Sequence, residues 1–152
     1  MITTNYNSKG WLTSLTDQVG TITNFPLYNN SGQLRLKTDP LLKTTQFFYD
    51  NAGRLSSITD RNNNTVDYSY TPTSKIDTIT YPDASTVRFT YNQRDSLTGM
   101  QDAIGSSNYG YDAAGRLISA TDSHGFNLLY EYDANGNLTK LTYPGNKAVI
   151  YT

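Results

Sequence analysis

The 152 residues carry 12 basic and 13 acidic side chains, and the resulting net charge of -1 gives no general attraction to nucleic acid or to an anionic membrane. With no Cys and one His, disulfides cannot hold the fold, a zinc site of N/S type is nearly excluded, and neither metal nor cofactor is expected. Thirteen Tyr, eleven Gly and a single Glu (Glu131) favour strands and turns over helices, in a chain long enough to bury a core as one domain.

The first residues, Met1-Ile2-Thr3-Thr4-Asn5, lack the basic and apolar regions of a secretory signal, and no apolar run approaches the length of a membrane span. Tyr6 then opens a pattern. Tyr returns at 28, 49, 70, 91, 111 and 132, at intervals of 22, 21, 21, 21, 20 and 21 residues. A fixed period of this size marks a repeat architecture. It divides a single domain, 1–152, into seven units: 6–27, 28–48, 49–69, 70–90, 91–110, 111–131 and 132–152.

Unit one is a residue longer than most and carries the only Trp, Trp11. Unit two reads Leu34-Arg35-Leu36-Lys37, then Asp39-Pro40-Leu41-Leu42, which predicts an irregular hairpin; its column for the residue two before Tyr holds Pro26. Unit three is clean: Tyr49-Asp50-Asn51-Ala52-Gly53-Arg54-Leu55. In units four and seven the second turn becomes Tyr81-Pro82-Asp83-Ala84 and Tyr143-Pro144-Gly145-Asn146, where Pro presets φ. Unit five has Asp95 where others have Gly. Unit six repeats the clean form, Tyr111-Asp112-Ala113-Ala114-Gly115-Arg116-Leu117, and unit seven carries Asp133 and Gly136 in the same places. The chain ends at Thr152, near a repeat boundary, so both ends are expected to expose strand edges that invite end-to-end self-association.

Each unit therefore reads as one β-hairpin. Asx after Tyr bonds its own backbone two residues on and Gly supplies φ > 0, so Asp50, Gly53, Asp112, Gly115, Asp133 and Gly136 are assigned to turn structure. A strand follows, then a second turn at Asp17, Asp39, Asp60, Asp102 or Asp122, then an alternating strand such as Val66-Asp67-Tyr68-Ser69-Tyr70. The fold class is all-β: an antiparallel hairpin solenoid or curved β-strip with one hairpin per repeat. Leu six after Tyr and Ile nine after Tyr are three apart, which on a flat strand puts them on opposite faces. Either a bulge intervenes or both faces are partly covered.

The Tyr-Asp-x-x-Gly-Arg-Leu motif at this period resembles the YD repeats of Rhs proteins, also found in insecticidal toxin complex C components, wall-associated bacterial proteins and teneurins. The resemblance covers essentially the whole chain. It implies a β-shell segment that encloses or displays a toxin or adhesive domain in a secreted, cell-surface or injected bacterial protein. The implied partners are the remainder of a larger chain or its toxin cargo. The self-cleaving Asp site and toxin domain of such proteins are not expected within these seven units.

Catalysis finds little support in the residues. Asp once per repeat is explained by turn geometry rather than by the facing carboxylates of a glycosidase. His124, at a hairpin tip, lacks the partners of a catalytic His. The aromatics leave two readings open. Trp11, Tyr68, Tyr70, Tyr109, Tyr111, Tyr130 and Tyr132 form either a packed layer or exposed rings that stack on ligands. The second makes the chain a carbohydrate- or cell-surface-binding module.

Overall fold

The structure is a computed structural model and describes residues 1–151; Thr152, the last residue of the seventh unit, lies outside them. The chain forms two compact units, Met1–Tyr68 and Ser69–Thr152. The first holds strands β1 (Thr3–Tyr6), β2 (Leu12–Thr16), β3 (Ile22–Tyr28), β4 (Leu34–Thr38), β5 (Thr44–Tyr49), β6 (Leu55–Thr59) and most of β7 (Thr65–Tyr70). The second holds the end of β7, then β8 (Ile76–Thr80), β9 (Thr86–Tyr91), β10 (Leu97–Gln101), β11 (Ser106–Tyr111), β12 (Leu117–Thr121), β13 (Asn127–Tyr132), β14 (Leu138–Tyr143) and β15 (Lys147–Ile150). Within each unit the spatial order of strands is their chain order, and neighbours are antiparallel.

Two kinds of turn, built alike, set this order. In the first turn of unit three, Gly53 N–H donates to Asp50 O (2.9 Å) and Asp50 N–H to Arg54 O (2.8 Å). That is a type I turn closed by a left-handed residue, a three-residue hairpin loop whose twist matches the strands. The second turns of units one, two, three, four and six close the same way, as at Asp60, where Asn63 N–H donates to Asp60 O (3.1 Å) and Asp60 N–H to Asn64 O (2.8 Å); in unit seven Pro144–Asn146 form a single 3-10 turn instead. In the turns that close this way among the described residues, the left-handed place is held by Gly in seven and by Leu42, Asn63, Ser74, Ala84 and Asp95 in five, the latter at φ from 58° to 66°.

A recurrent bulge decides the face question raised by the Leu/Ile spacing. In β5–β6, Tyr49 faces Leu55 but Phe48 faces Ser57, so Ser56 is an extra residue on β6. The same shift occurs between β1 and β2, β9 and β10, β11 and β12, and β13 and β14. One extra residue reverses side-chain parity, so Leu55 and Ile58 come to the same face although three apart. On that face Phe47 pairs with Ile58 and Ile58 with Val66; in the second unit Tyr130 pairs with Leu141 and Leu141 with Val149. The opposite face is chiefly polar, with Phe48 and Leu129 among its exceptions: Thr59 pairs with Thr65, their hydroxyls 2.8 Å apart, and Thr80 pairs with Thr86.

The length irregularities of the repeat are absorbed locally. The extra residue of unit one lies in β3: Asn24 faces Thr38 and Leu27 faces Leu36, three residues against two. Pro26, which has no N–H for a ladder, sits in this bulge. Pro26 is exposed and Phe25 is half-buried, so Phe25 takes the place that spacing assigned to Pro26. The predicted irregularity of unit two is therefore corrected to β3. The Asp39 turn is regular, with Asp39 N–H donating to Lys43 O and Leu42 N–H to Asp39 O. The short interval of unit five comes from a tighter second turn, Asp102 N–H donating to Gly105 O at 3.0 Å.

The expectation of a buried core is also corrected. Among the described residues no hydrophobic side chain is fully buried. Within each unit the substantial strand contacts run between chain neighbours, so no second layer seals the apolar face. Full burial of a Leu or Phe stabilises by about 1.5–3 kcal/mol, and half-burial realises only part of that.

Candidate functional site

Three arrangements could carry function: the first-turn edge, the tyrosine face, and a recess in that face. At the first-turn edge, Asp50 Oδ1 accepts from Ala52 N–H (2.9 Å) and Arg54 N–H (2.8 Å) while its Oδ2 accepts from Arg54 Nε (2.7 Å). Asp112 does the same with Ala114, Arg116 and Arg116 Nε. Asp133 Oδ1 accepts from Asn135 and Asn137 N–H, and its Oδ2 from Asn137 Nδ2 (2.9 Å). Backbone donors, led by Arg54 and Arg116 N–H, hold the Asp50 and Asp112 carboxyls below the ordinary carboxylate range; for Asp133 the Asn137 side chain leads. The left-handed glycines of these turns, Gly53, Gly115 and Gly136, have φ of 78°, 84° and 89°.

Successive turns are tied to one another by side chains whose partners spacing alone did not show. Gln33 Nε2 donates to Gly53 O (2.7 Å) in the first unit. In the second, Arg94 Nη1 donates to Ala113 O (2.6 Å) and Arg116 Nη1 to Asp133 O (3.0 Å). Trp11 plays this part by packing. It lies over Gly32, where an added Cβ would meet the indole at 3.1 Å. Its ring centroid is 5.3 Å from that of Tyr28, and Lys9 Nζ lies 4.7 Å from the ring.

The repeat tyrosines are fixed by their hydroxyls. Tyr28 donates to Leu12 O (2.6 Å) and Tyr49 to Leu34 O (2.9 Å) in the first unit. Tyr91, Tyr111 and Tyr132 donate to Ile76, Leu97 and Leu117 O in the second (2.8–2.9 Å). Each spans one repeat. Burial raises the pKa of the Tyr28 and Tyr91 phenols. Of the candidate stacking aromatics, Trp11 and Tyr68 lie in the first unit and Tyr70, Tyr109, Tyr111, Tyr130 and Tyr132 in the second; all are half-buried. Tyr109 and Tyr111 share one face of β11, and Tyr130 and Tyr132 one face of β13. Arg116 lies over Tyr132, its Cζ 4.8 Å from the ring centroid.

One stretch of the apolar face in the second unit is hollow. Ser107, Tyr109, Ala120, Leu128 and Phe126 line an open recess of about 440 Å³. Phe126 is exposed and stands just after the second turn of unit six, in a column without consistent chemistry, which is why spacing did not mark it. Asp122 also lines the recess; its Oδ1 accepts from His124 and Phe126 N–H, both at 2.9 Å.

Chemically, these arrangements suit packing and binding. A general acid needs a raised carboxyl pKa; the turn carboxylates with shifted values are lowered, as at Asp17, Asp60 and Asp83, where backbone or Ser85 donors lead. Among the described residues no group of three or more His, Cys, Asp or Glu could hold a metal ion, and no helix is long and apolar enough to cross a membrane.

Comparison with known proteins agrees with this geometry. The family model described as Teneurin YD-shell matches residues 1–102, and that described as RHS Repeat matches 91–126 and 111–148. No curated protein matches the chain. Among solved structures, TcdB2-TccC3-Cdc42 superposes with a TM-score of 0.79 at 21% identity, over 98% of this chain and 10% of that one. TcdB2-TccC3-TEV gives 0.78 at 20% identity over 98% and 10%. The Tc holotoxin pore of Photorhabdus luminescens, with a mutated TccC3, gives 0.76 at 21% over 98% and 10%. At these identities the likeness is one of fold, and this chain spans about a tenth of the length of the chains it matches.

Proposed function

The chain belongs to the teneurin YD-shell family, and on that premise we propose that it is a wall segment of a YD-repeat shell, which in a longer polypeptide encloses or displays a toxin or adhesive domain. The observation that carries the reading is that each compact unit has a half-buried apolar face, as at Phe47 and Ile58 in the first and Tyr130 and Leu141 in the second, and seals no core of its own. A free-standing domain buries such a face, whereas a wall segment leaves it for what the wall surrounds or continues into. The partners are then the rest of the chain or its cargo, in a secreted, cell-surface or injected protein. The segment is not an enzyme in this reading, because its recurrent carboxylates are spent on turns.

Limited proteolysis of the full-length natural polypeptide tests this. The cargo segment is expected to resist protease within the intact chain and to be digested when expressed alone. Equal digestion in both settings rejects enclosure or protective display.

A second reading, a carbohydrate- or cell-surface-binding module, draws support from Tyr109 beside the open recess. Stacking on sugars predicts a glycan-array signal that Tyr109→Ala abolishes. Silence on the array removes this reading and leaves the shell untouched.

A further inference from the structure

The recess in the second unit arises from two departures within the repeat. Nine residues after the repeat Tyr, units three, four, five and seven carry Ile58, Ile79, Met100 and Leu141, but unit six has Ala120. On the strands paired with that column, Val66, Val87, Leu128 and Val149 stand where β11 has Ser107. Tyr109 pairs with Ala120, so the two small residues fall on adjoining strands and leave a floor with no bulk above it. Tyr109, Leu128 and Phe126 wall it.

We propose that this recess takes an arginine side chain presented by another polypeptide segment. Tyr109 and Phe126 bring aromatic rings to the recess for a planar guanidinium, and Ala120 and Leu128 an apolar bed for its stem. Asp122 supplies the charge. Its Oδ1 is committed to two backbone N–H groups, while among the described residues Oδ2 has no hydrogen-bond partner, and no basic residue lines the recess. Guanidinium matches this pairing of ring and carboxylate better than ammonium does. The same unit already makes such an arrangement internally, with Arg116 over Tyr132 at 4.8 Å and its Nε on Asp112 Oδ2 at 2.7 Å. A small free ligand is better held where most of its surface is enclosed. This recess is open, which suits a side chain whose own backbone covers the mouth.

The inference does not depend on the shell reading, since it concerns the chain by itself. It is tested by NMR titration of the whole chain with the peptide acetyl-Ala-Arg-Ala-amide and with versions carrying citrulline or norleucine in place of Arg. Saturable shifts at Tyr109, Ala120, Phe126 and Leu128 are expected with the arginine peptide, and binding about tenfold weaker with either substitute. Asp122→Asn keeps the Oδ1 acceptor and is expected to bring the arginine peptide down to the citrulline level. Ala120→Leu and, separately, Ser107→Val fill the floor with residues that the same columns hold elsewhere, and each is expected to abolish the shifts. Absent shifts, equal binding of the citrulline or norleucine peptide, an unaffected Asp122→Asn, or unchanged binding by both filled variants overturns the proposal.

Discussion

Asp50, Asp112 and Asp133 each accept two backbone N–H groups through one oxygen, so the anion is the form that the turn stabilises. Their folded pKa values, with those of Asp17, Asp60 and Asp83, lie below the ordinary value of about 3.9. A lowered folded pKa means stability that is fully present above the unfolded value and is lost as pH falls through the folded one. The denaturation midpoint is therefore expected to hold level down to about pH 5 and to decline below about pH 4; a midpoint that rises on acidification contradicts this. Tyr28 and Tyr91 have raised values and work in the opposite sense, their contribution being present below about pH 10 and lost as pH climbs further. Leu42 is a second residue-scale case. It is an exposed aliphatic side chain held at φ 59°. Left-handed backbone costs an L-residue about 1–2 kcal/mol, and Gly gives back part of that gain through its freer unfolded chain. Leu42→Gly is expected to stabilise by about 0.5–1 kcal/mol in urea titration, and a destabilised variant would contradict the strain argument.

At the scale of the element, the bulge and the tyrosine hydroxyl define the hairpin. Tyr132 spans one repeat to donate to Leu117 O at 2.9 Å. Tyr132→Phe removes the donor while keeping the ring, and should cost about 1 kcal/mol, the net value of a hydrogen bond. Tyr49→Phe, which frees Leu34 O, should cost a similar amount. No loss in either variant indicates that water replaces the hydroxyl without penalty. The β3 strand differs from the others because Pro26 interrupts its ladder between Asn24 and Leu27. Amide exchange around Asn24–Leu27 is expected to be faster than at the corresponding residues of β5. Equal protection in the two strands goes against a broken ladder.

At the scale of the whole molecule, the substantial strand contacts within each unit link chain neighbours, so repeats behave as interchangeable steps. Deleting Asp112–Tyr132 joins Tyr111 to Asp133 and removes one 21-residue period, preserving both turn edges and side-chain parity. This deletion is expected to keep a cooperative β-sheet transition by circular dichroism. Deleting Leu128 alone turns the aromatic residues after it to the polar face and is expected to abolish that transition. If the two deletions behave alike, register is not what specifies this sheet.

The period, the two turns per repeat, the antiparallel hairpin and the family resemblance were legible in the residues. Tyr, Asp and Gly at fixed offsets carry local information: a turn is decided by the φ that one residue tolerates and by a carboxylate reaching its own backbone. What lay beyond reach depends on pairing. The Leu55–Ile58 spacing permitted either a bulge or two covered faces, and only the cross-strand register put the extra residue at Ser56. Spacing put Pro26 in the aromatic column because a count along one strand cannot see an extra residue that its partner lacks; the structure puts Phe25 there. The Ser107–Ala120 recess was hidden for the same reason, since its two floor residues belong to different columns and become neighbours only when β11 lies beside β12. Length alone suggested a core. Burial, however, depends on what lies across a face, and in each unit the strands contact chiefly their chain neighbours, leaving the apolar face half-open.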